Sequence, residues 1–258
     1  MEVSGAARPA DSFLRIDVEG ATLRSEGVRL FADFGFELPL GQWTCLLGPS
    51  GIGKTTLLRA LAGFLPPAPA ITLAGATWPA QGQIAYMAQQ DLLLPWLNAR
   101  DNVRLGARLR GHDDATSHAE AQRLLDQVGL ASRAEDLPQK LSGGMRQRVA
   151  LARTLFEQRP LVLMDEPFSQ LDALTRLDMQ ELARALLRGR TVLLVTHDPL
   201  EALRVGDRIL VLNGIPAAAQ APILPPGDPP RDLATPAIAT LYRGILDGLR
   251  AHQRAIAS

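Results

Sequence analysis

Eight consecutive residues, Gly48-Pro49-Ser50-Gly51-Ile52-Gly53-Lys54-Thr55, fit the phosphate-binding pattern G-x-x-x-x-G-K-[ST] at every fixed position. The glycines let the backbone curl so that several N–H groups converge on phosphate oxygens, and a following helix adds the partial positive charge of its start. In that arrangement Lys54 reaches the β- and γ-phosphates, the hydroxyl of Thr55 helps hold Mg²⁺, and Thr56 continues the cradle into the helix. Of 27 Lys and Arg residues only Lys54 and Lys140 are lysines. The general preference for arginine thus spares the position where a compact ammonium suits a phosphate better than a planar fork. The bland alternative is a glycine-rich turn ahead of an ordinary helix.

Three further stretches carry chemistry. Leu161-Val162-Leu163-Met164 is an apolar strand ending in Asp165-Glu166. At a strand end two neighbouring carboxylates can take different directions, Asp165 toward Mg²⁺ and Glu166 toward the water that attacks a γ-phosphate. His197 follows another apolar strand and is placed to sense the γ-phosphate. Gln89, after Met87, is a candidate for contact with Mg²⁺ or the attacking water. Leu141-Ser142-Gly143-Gly144 reads as a capped helix start with close backbone approach, a second anion site formed by Ser142, Gly143 and Gly144. A second such site in one chain makes sense if two copies face each other.

The elements that position these residues are strands alternating with helices. Trp43–Leu47 precedes the phosphate loop, and a helix from Thr56 ends at Gly63. Strand-like runs recur at Leu161–Met164, Thr191–Val195 and Arg208–Leu212. This predicts an α/β fold with a mainly parallel sheet, preceded by antiparallel strands within Phe13–Val18 and Val28–Leu38. A strand pair is expected between Ile71 and Met87. Helical periodicity from Asp101 to Val128, with the helix after Ser142, predicts an inserted helical subdomain over about 90–156. The expected organisation is a disordered leader at 1–12, a domain at 13–215, and a Pro/Ala-rich linker with a C-terminal helix at 216–258. Ile238, Leu241, Ile245 and Leu249 share one face of that helix, to pack on the core or to receive a partner.

The 258 residues can bury a full core, and their net charge of zero argues against a nucleic-acid partner. The single cysteine, Cys45, reads as a small buried residue in a reducing compartment. No apolar run reaches the roughly 18 to 20 residues of a spanning helix, and residues 1–11 do not form a secretory signal. A cytoplasmic protein is expected, one that serves a membrane only by docking on another chain.

The phosphate loop, Gln89, the run Leu-Ser-Gly-Gly-Met-Arg-Gln-Arg-Val-Ala-Leu-Ala-Arg from Leu141, Asp165-Glu166 and His197 occur in the order and approximate spacing of the ATP-binding cassette (ABC) ATPases. The chain resembles that family over roughly 13–212. The resemblance implies a P-loop NTPase core, ATP and Mg²⁺ as ligands, and a head-to-tail dimer in which Ser142, Gly143 and Gly144 reach the nucleotide of the partner. It assigns Ser169-Gln170-Leu171-Asp172 to the loop joining the two sites. Gln89-Gln90-Asp91-Leu92-Leu93-Leu94-Pro95-Trp96 is similar to importer subunits of the nitrate, taurine and hydroxymethylpyrimidine type. By that resemblance Leu92, Leu93, Leu94 and Trp96 receive a coupling helix of a membrane permease at the cytoplasmic face of the inner membrane. The leucines read equally well as core. A solute-binding protein would be an indirect partner, and the cargo a thiamine-precursor pyrimidine or a nitrate- or sulfonate-type anion. One departure is Ser25, which stands where the family commonly carries an aromatic residue against adenine. The alternative function is a soluble ABC-type ATPase acting on nucleic acid or ribosomes.

Overall fold

The computed structural model describes residues 13–18, 23–25, 28–65, 70–73, 76–77, 82–214 and 216–257. The expected leader at 1–12 lies outside them. An antiparallel layer comes first. Strand β1 (Phe13–Val18) is followed by a short pair, β2 (Arg24–Ser25) with β3 (Val28–Arg29), and by β4 (Phe34–Pro39), which lies antiparallel to β1. In β1, Leu14, Ile16 and Val18 point inward, which is the period-two alternation of a strand with one covered face.

Strand β5 (Trp43–Leu47) opens the main sheet and leads through the phosphate loop into α1 (Lys54–Leu61), whose C-cap Ala62 is followed by Gly63 with φ +79. Next come β6 (Ala70–Leu73), β7 (Ala76–Thr77) and β8 (Ile84–Met87). The strand pair expected between Ile71 and Met87 forms as β6 with β7, antiparallel, and leaves β8 out of it. Strand β6 joins β1 in the antiparallel layer, and β8 runs parallel to β9 (Leu161–Asp165) in the main sheet. Parallel neighbours need a long crossover, and the helical lobe supplies it.

That lobe holds α2 (Ala99–Val103), α3 (Leu105–Leu109), α4 (Ala115–Gln127) and α5 (Gly143–Phe156). The predicted helical stretch is thus broken in two places, at Arg104 and at Gly111 with φ +79. Asp114 caps α4 in a reciprocal pair with Ser117. Ala121, Leu124, Leu125 and Val128 pack with Val103, Val149 and Ala152 into a separate small core.

The rest of the chain returns to the sheet through α6 (Ala173–Leu186), β10 (Thr191–Thr196), α7 (Pro199–Val205), β11 (Arg208–Asn213) and β12 (Ala218–Ala219), and ends in α8 (Pro236–Ala257). The strand order is β12-β11-β5-β10-β9-β8, parallel except at β12. Strands β5, β9 and β10 are buried on both faces, which is why they read as unbroken apolar runs. Trp43, Cys45 and Leu47 pack toward α5, α6, α7 and α8, whereas Leu46 packs toward α1 and β1. Each such side chain contributes roughly 1.5–3 kcal/mol of transfer free energy.

The segment 217–230, expected to be a linker, is packed instead. Strand β12 pairs with β11, and Ile223 bridges Ile209. Arg231 is buried, and its guanidinium donates to the carbonyls of Pro225, Pro226, Gly227, Leu203 and Gly206. Those last two carbonyls belong to the C-terminal end of α7, so one arginine satisfies a helix end and fixes the segment beside it. Ile238 and Ile245 of α8 join the main core, with Leu241 and Leu249 packed against it, so this helix covers the domain.

Candidate nucleotide-binding and hydrolysis site

Because β5, β10, β9 and β8 are adjacent and parallel, the residues that follow them emerge along one sheet edge. The phosphate loop leaves β5, His197 leaves β10, Glu166 leaves β9 and Gln89 leaves β8. The sequence places the phosphate loop, Gln89, Asp165 and His197 at strand ends, and the strands that carry them lie side by side, with Asp165 the last residue of β9.

In the loop, Gly51 has φ +82 and Gly53 φ +101. A Cβ on Gly53 would lie 2.9 Å from Phe31 Cζ, so this position excludes a side chain both by backbone conformation and by space. Gly53 is the N-cap of α1 and supplies no side-chain cap, so the amides of the first turn stay available to an anion. Lys54 is buried, and its ammonium donates to the carbonyls of Gly48 (2.7 Å) and Pro49 (2.9 Å). Burial lowers its pKa, opposed by the nearby carboxylates of Glu166 and Asp165.

Asp165 is 3% exposed and its two oxygens are both engaged. Thr55 Oγ1 donates to Oδ1 at 2.8 Å, and the Tyr86 hydroxyl donates to Oδ2 at 2.9 Å. Burial and the Asp165 charge push the Tyr86 phenol up to about 12. Tyr86 went unnoticed in the sequence; its only signal was its place one residue before the end of a strand. A hydroxyl beside a buried carboxylate is a hard-oxygen pair, which fits Mg²⁺, an ion that takes one or two protein oxygens and completes its shell with phosphate and water.

Glu166 turns away from Asp165. Its φ of +44 is unusual for a side chain this large, and its amide is held by the Val195 carbonyl at 2.9 Å. Glu166 Oε2 lies 3.0 Å from His197 Nδ1 and 3.4 Å from Gln89 Nε2. The Gln89 amide also donates to Ser169 Oγ at 3.3 Å, and that hydroxyl donates to the Glu166 carbonyl at 2.9 Å. Gln89 therefore stands with Glu166 and Ser169, beside His197.

Ser142 is exposed and caps α5, accepting from Met145 N at 3.2 Å. A Cβ on Gly144 would meet Thr175 Cγ2 at 2.7 Å, which explains a glycine here by close approach to α6. Ser142, Gly143 and Gly144 line an open cleft of about 610 Å³ shared with Arg148, Gln170, Asp172 and Thr175. No residue of the phosphate loop lines it.

Helix α5 also grips the Gln89 loop. Arg153 donates to the carbonyls of Asp91 and Leu92, Arg146 pairs with the Asp91 carboxylate at 2.9 Å, and buried Gln147 donates to the Pro167 carbonyl at 2.5 Å. Sequence reasoning missed this coupling, since both arginines look like ordinary helix surface. The loop divides its leucines: Leu93 is buried, Leu94 half-buried, and Leu92 exposed with φ +47. Trp96 is 71% exposed. Ser25 lies in β2, where its backbone pairs with Val28.

This fold and this edge define a P-loop nucleotide-binding ATPase with a helical lobe. The family model for ABC transporters matches residues 31–169. An uncharacterized ABC transporter ATP-binding protein of Haemophilus influenzae is 41% identical over 92% of this chain and 100% of its own length. Aliphatic sulfonates import ATP-binding protein SsuB 1 of Rhodococcus jostii is 40% identical over 97% of this chain and 99% of its own. SsuB 2 of Burkholderia cenocepacia is 39% identical over 88% of this chain and 84% of its own. The chain belongs to the ABC transporter family, as an ATP-binding subunit that hydrolyses ATP in the service of transport.

Proposed function

We propose that two copies of this chain assemble head to tail, each holding ATP and Mg²⁺ on its phosphate loop and offering Ser142, Gly143 and Gly144 to the nucleotide of the other. The observation that carries this reading is the separation of two anion-binding helix starts in one chain, with no phosphate-loop residue in the cleft of Ser142. ATP favours the closed pair because its γ-phosphate is shared between Lys54 of one copy and the α5 start of the other, and ADP has nothing to share. Thr55 and Asp165 would hold Mg²⁺, which when bound screens phosphate charge. Glu166 orients and polarises the attacking water, Gln89 holds Glu166 from one side, and His197 meets both Glu166 and the γ-phosphate.

The transport reading is uptake of a small sulfonate-type anion. Several similar proteins carry the name of aliphatic sulfonate importers, which favours this cargo over a pyrimidine or nitrate and leaves the nucleic-acid alternative without support. Permease subunits would receive Leu92 and Trp96 at the inner face of the cell membrane, with a solute-binding protein beyond them. No helix among the described residues is long and apolar enough to cross a membrane, in keeping with a peripheral subunit. The test is growth on an alkanesulfonate as sole sulfur source. Deletion of this gene should abolish it, the wild-type copy should restore it and a Glu166→Gln copy should not; unimpaired growth of the deletion strain would overturn the cargo assignment.

A further inference from the structure

Glu201 lies in the first turn of α7, four residues after His197, and is 6% exposed. Its hydrogen-bonding partners are neutral. Gln180 of α6 donates its amide to Glu201 Oε1 at 3.4 Å, and Thr196 contributes its hydroxyl. The same Thr196 oxygen accepts the Asp198 amide at 3.0 Å, so the peptide carrying His197 is bracketed by a turn that Glu201 anchors. Gln180 Oε1 is buried without a partner, so the joint lacks one hydrogen.

We propose that Glu201 is a positioning residue for ATP hydrolysis: as a neutral acid paired with the Gln180 amide and the Thr196 hydroxyl, it locks the His197 turn onto α6. A carboxylic acid facing an amide can exchange two hydrogen bonds, its carbonyl accepting from Nε2 and its O–H donating to Oε1. Loss of that proton leaves a carboxylate against a bare amide oxygen in a buried space, and the joint loosens. Helix α6 begins at Asp172, its N-cap, in the loop that lines the Ser142 cleft, so the lock ties the histidine of one strand end to the second anion site.

The charged surroundings favour the neutral form. Burial comes first, pushing Glu201 up to about 7; the Thr196 hydroxyl and the Gln180 amide, as donors to its oxygens, pull the other way, and the nearby Asp198 carboxylate adds to the rise. Arg176 of α6 opposes it, but that guanidinium is engaged with the Leu171 carbonyl and lies 3.7 Å from Asp198. Arg204 of α7 is turned to Glu181 of α6 at 3.8 Å. From β5 the element facing Glu201 is the buried Cys45 thiol, itself raised by burial, and Asp207 with Arg184 lies on that same side.

This inference rests on His197 serving hydrolysis. Its test is ATP turnover by the purified full chain across pH 6–8, comparing wild type with Glu201→Gln, which keeps the pair but cannot ionise, and with Glu201→Leu, which is neutral but cannot pair. The kcat ratio of Glu201→Gln to wild type should rise at least about threefold from pH 6 to pH 8, with KM for ATP moving less than about twofold. Glu201→Leu should lose about tenfold in kcat throughout. The infrared difference between wild type and Glu201→Gln should show a protonated carboxyl band at pH 6 that fades by pH 8. A flat ratio, or Glu201→Leu as active as Glu201→Gln, overturns the proposal even where His197→Ala abolishes turnover. Wild-type turnover by His197→Ala overturns the reading beneath it.

Discussion

Thr55 Oγ1 donates to Asp165 Oδ1 at 2.8 Å, joining the first turn of α1 to the end of β9 across 110 positions of sequence. The contact exists because β9 lies two strands from β5 in a parallel sheet, so both chain segments leave the same edge. Under the proposed function these two side chains would hold the divalent ion. The contact also leaves Glu166, the next residue, free to face the opposite way.

Asp165→Asn keeps the shape but halves the donor set, and it removes the charge that an ion at Thr55 would neutralise. The Mg²⁺ concentration for half-maximal ATP turnover should rise by tenfold or more, about 1.4 kcal/mol or above. A magnesium titration checks it, and an unchanged midpoint would remove Asp165 from the metal site.

His197 lies 3.0 Å from Glu166 Oε2. His197→Ala should lower kcat by about 10²-fold or more while KM for ATP changes little, because the contact matters to the reacting phosphate more than to binding. Steady-state kinetics with matched ATP-binding calorimetry separates the two. A loss confined to KM would place His197 in nucleotide binding instead.

Glu201 also affects stability. Its pKa rises from an ordinary 4.5 to about 7 on folding, so between those values the folded chain keeps a proton that the unfolded chain has released. Stability therefore falls as pH climbs through that window, by up to roughly 3 kcal/mol at about 1.4 kcal/mol per pH unit. Glu201→Gln should flatten that slope in urea unfolding between pH 5 and 7, and parallel slopes for the two proteins would contradict the buried neutral acid.

Trp96 stands 71% exposed beside Pro95, and Leu92 is 59% exposed on the same loop. Trp96→Ser should leave the fold and Tm within a degree or two, since little buried area is lost. It should weaken capture by a detergent-solubilised permease tenfold or more, as loss of a central aromatic anchor does. Equal capture would move the docking surface elsewhere.

Much of the site could be read from the sequence because it is carried by short local motifs. The phosphate loop, the two adjacent acids and the Ser142 helix start each declare themselves within a few residues. Tyr86, Arg146, Gln147 and Arg153 could not be read that way, for their partners lie 20 to 79 positions off and are set by strand order. The same limit explains β8, whose pairing with β9 depends on the helical lobe between them. It explains 217–230 as well, where Pro and Ala suggest a free linker and distant contacts make it ordered: β12 with β11, Ile223 with Ile209, and Arg231 with the end of α7.

The central claim is that nucleotide is clasped between two copies. It is tested most directly by light scattering on Glu166→Gln with and without Mg-ATP, and on the same variant carrying Ser142→Arg. Glu166→Gln should double from a 27.8 kDa monomer when Mg-ATP is added, and the added arginine, which crowds the cleft, should abolish the doubling. A Glu166→Gln protein that binds Mg-ATP and stays monomeric would contradict the account.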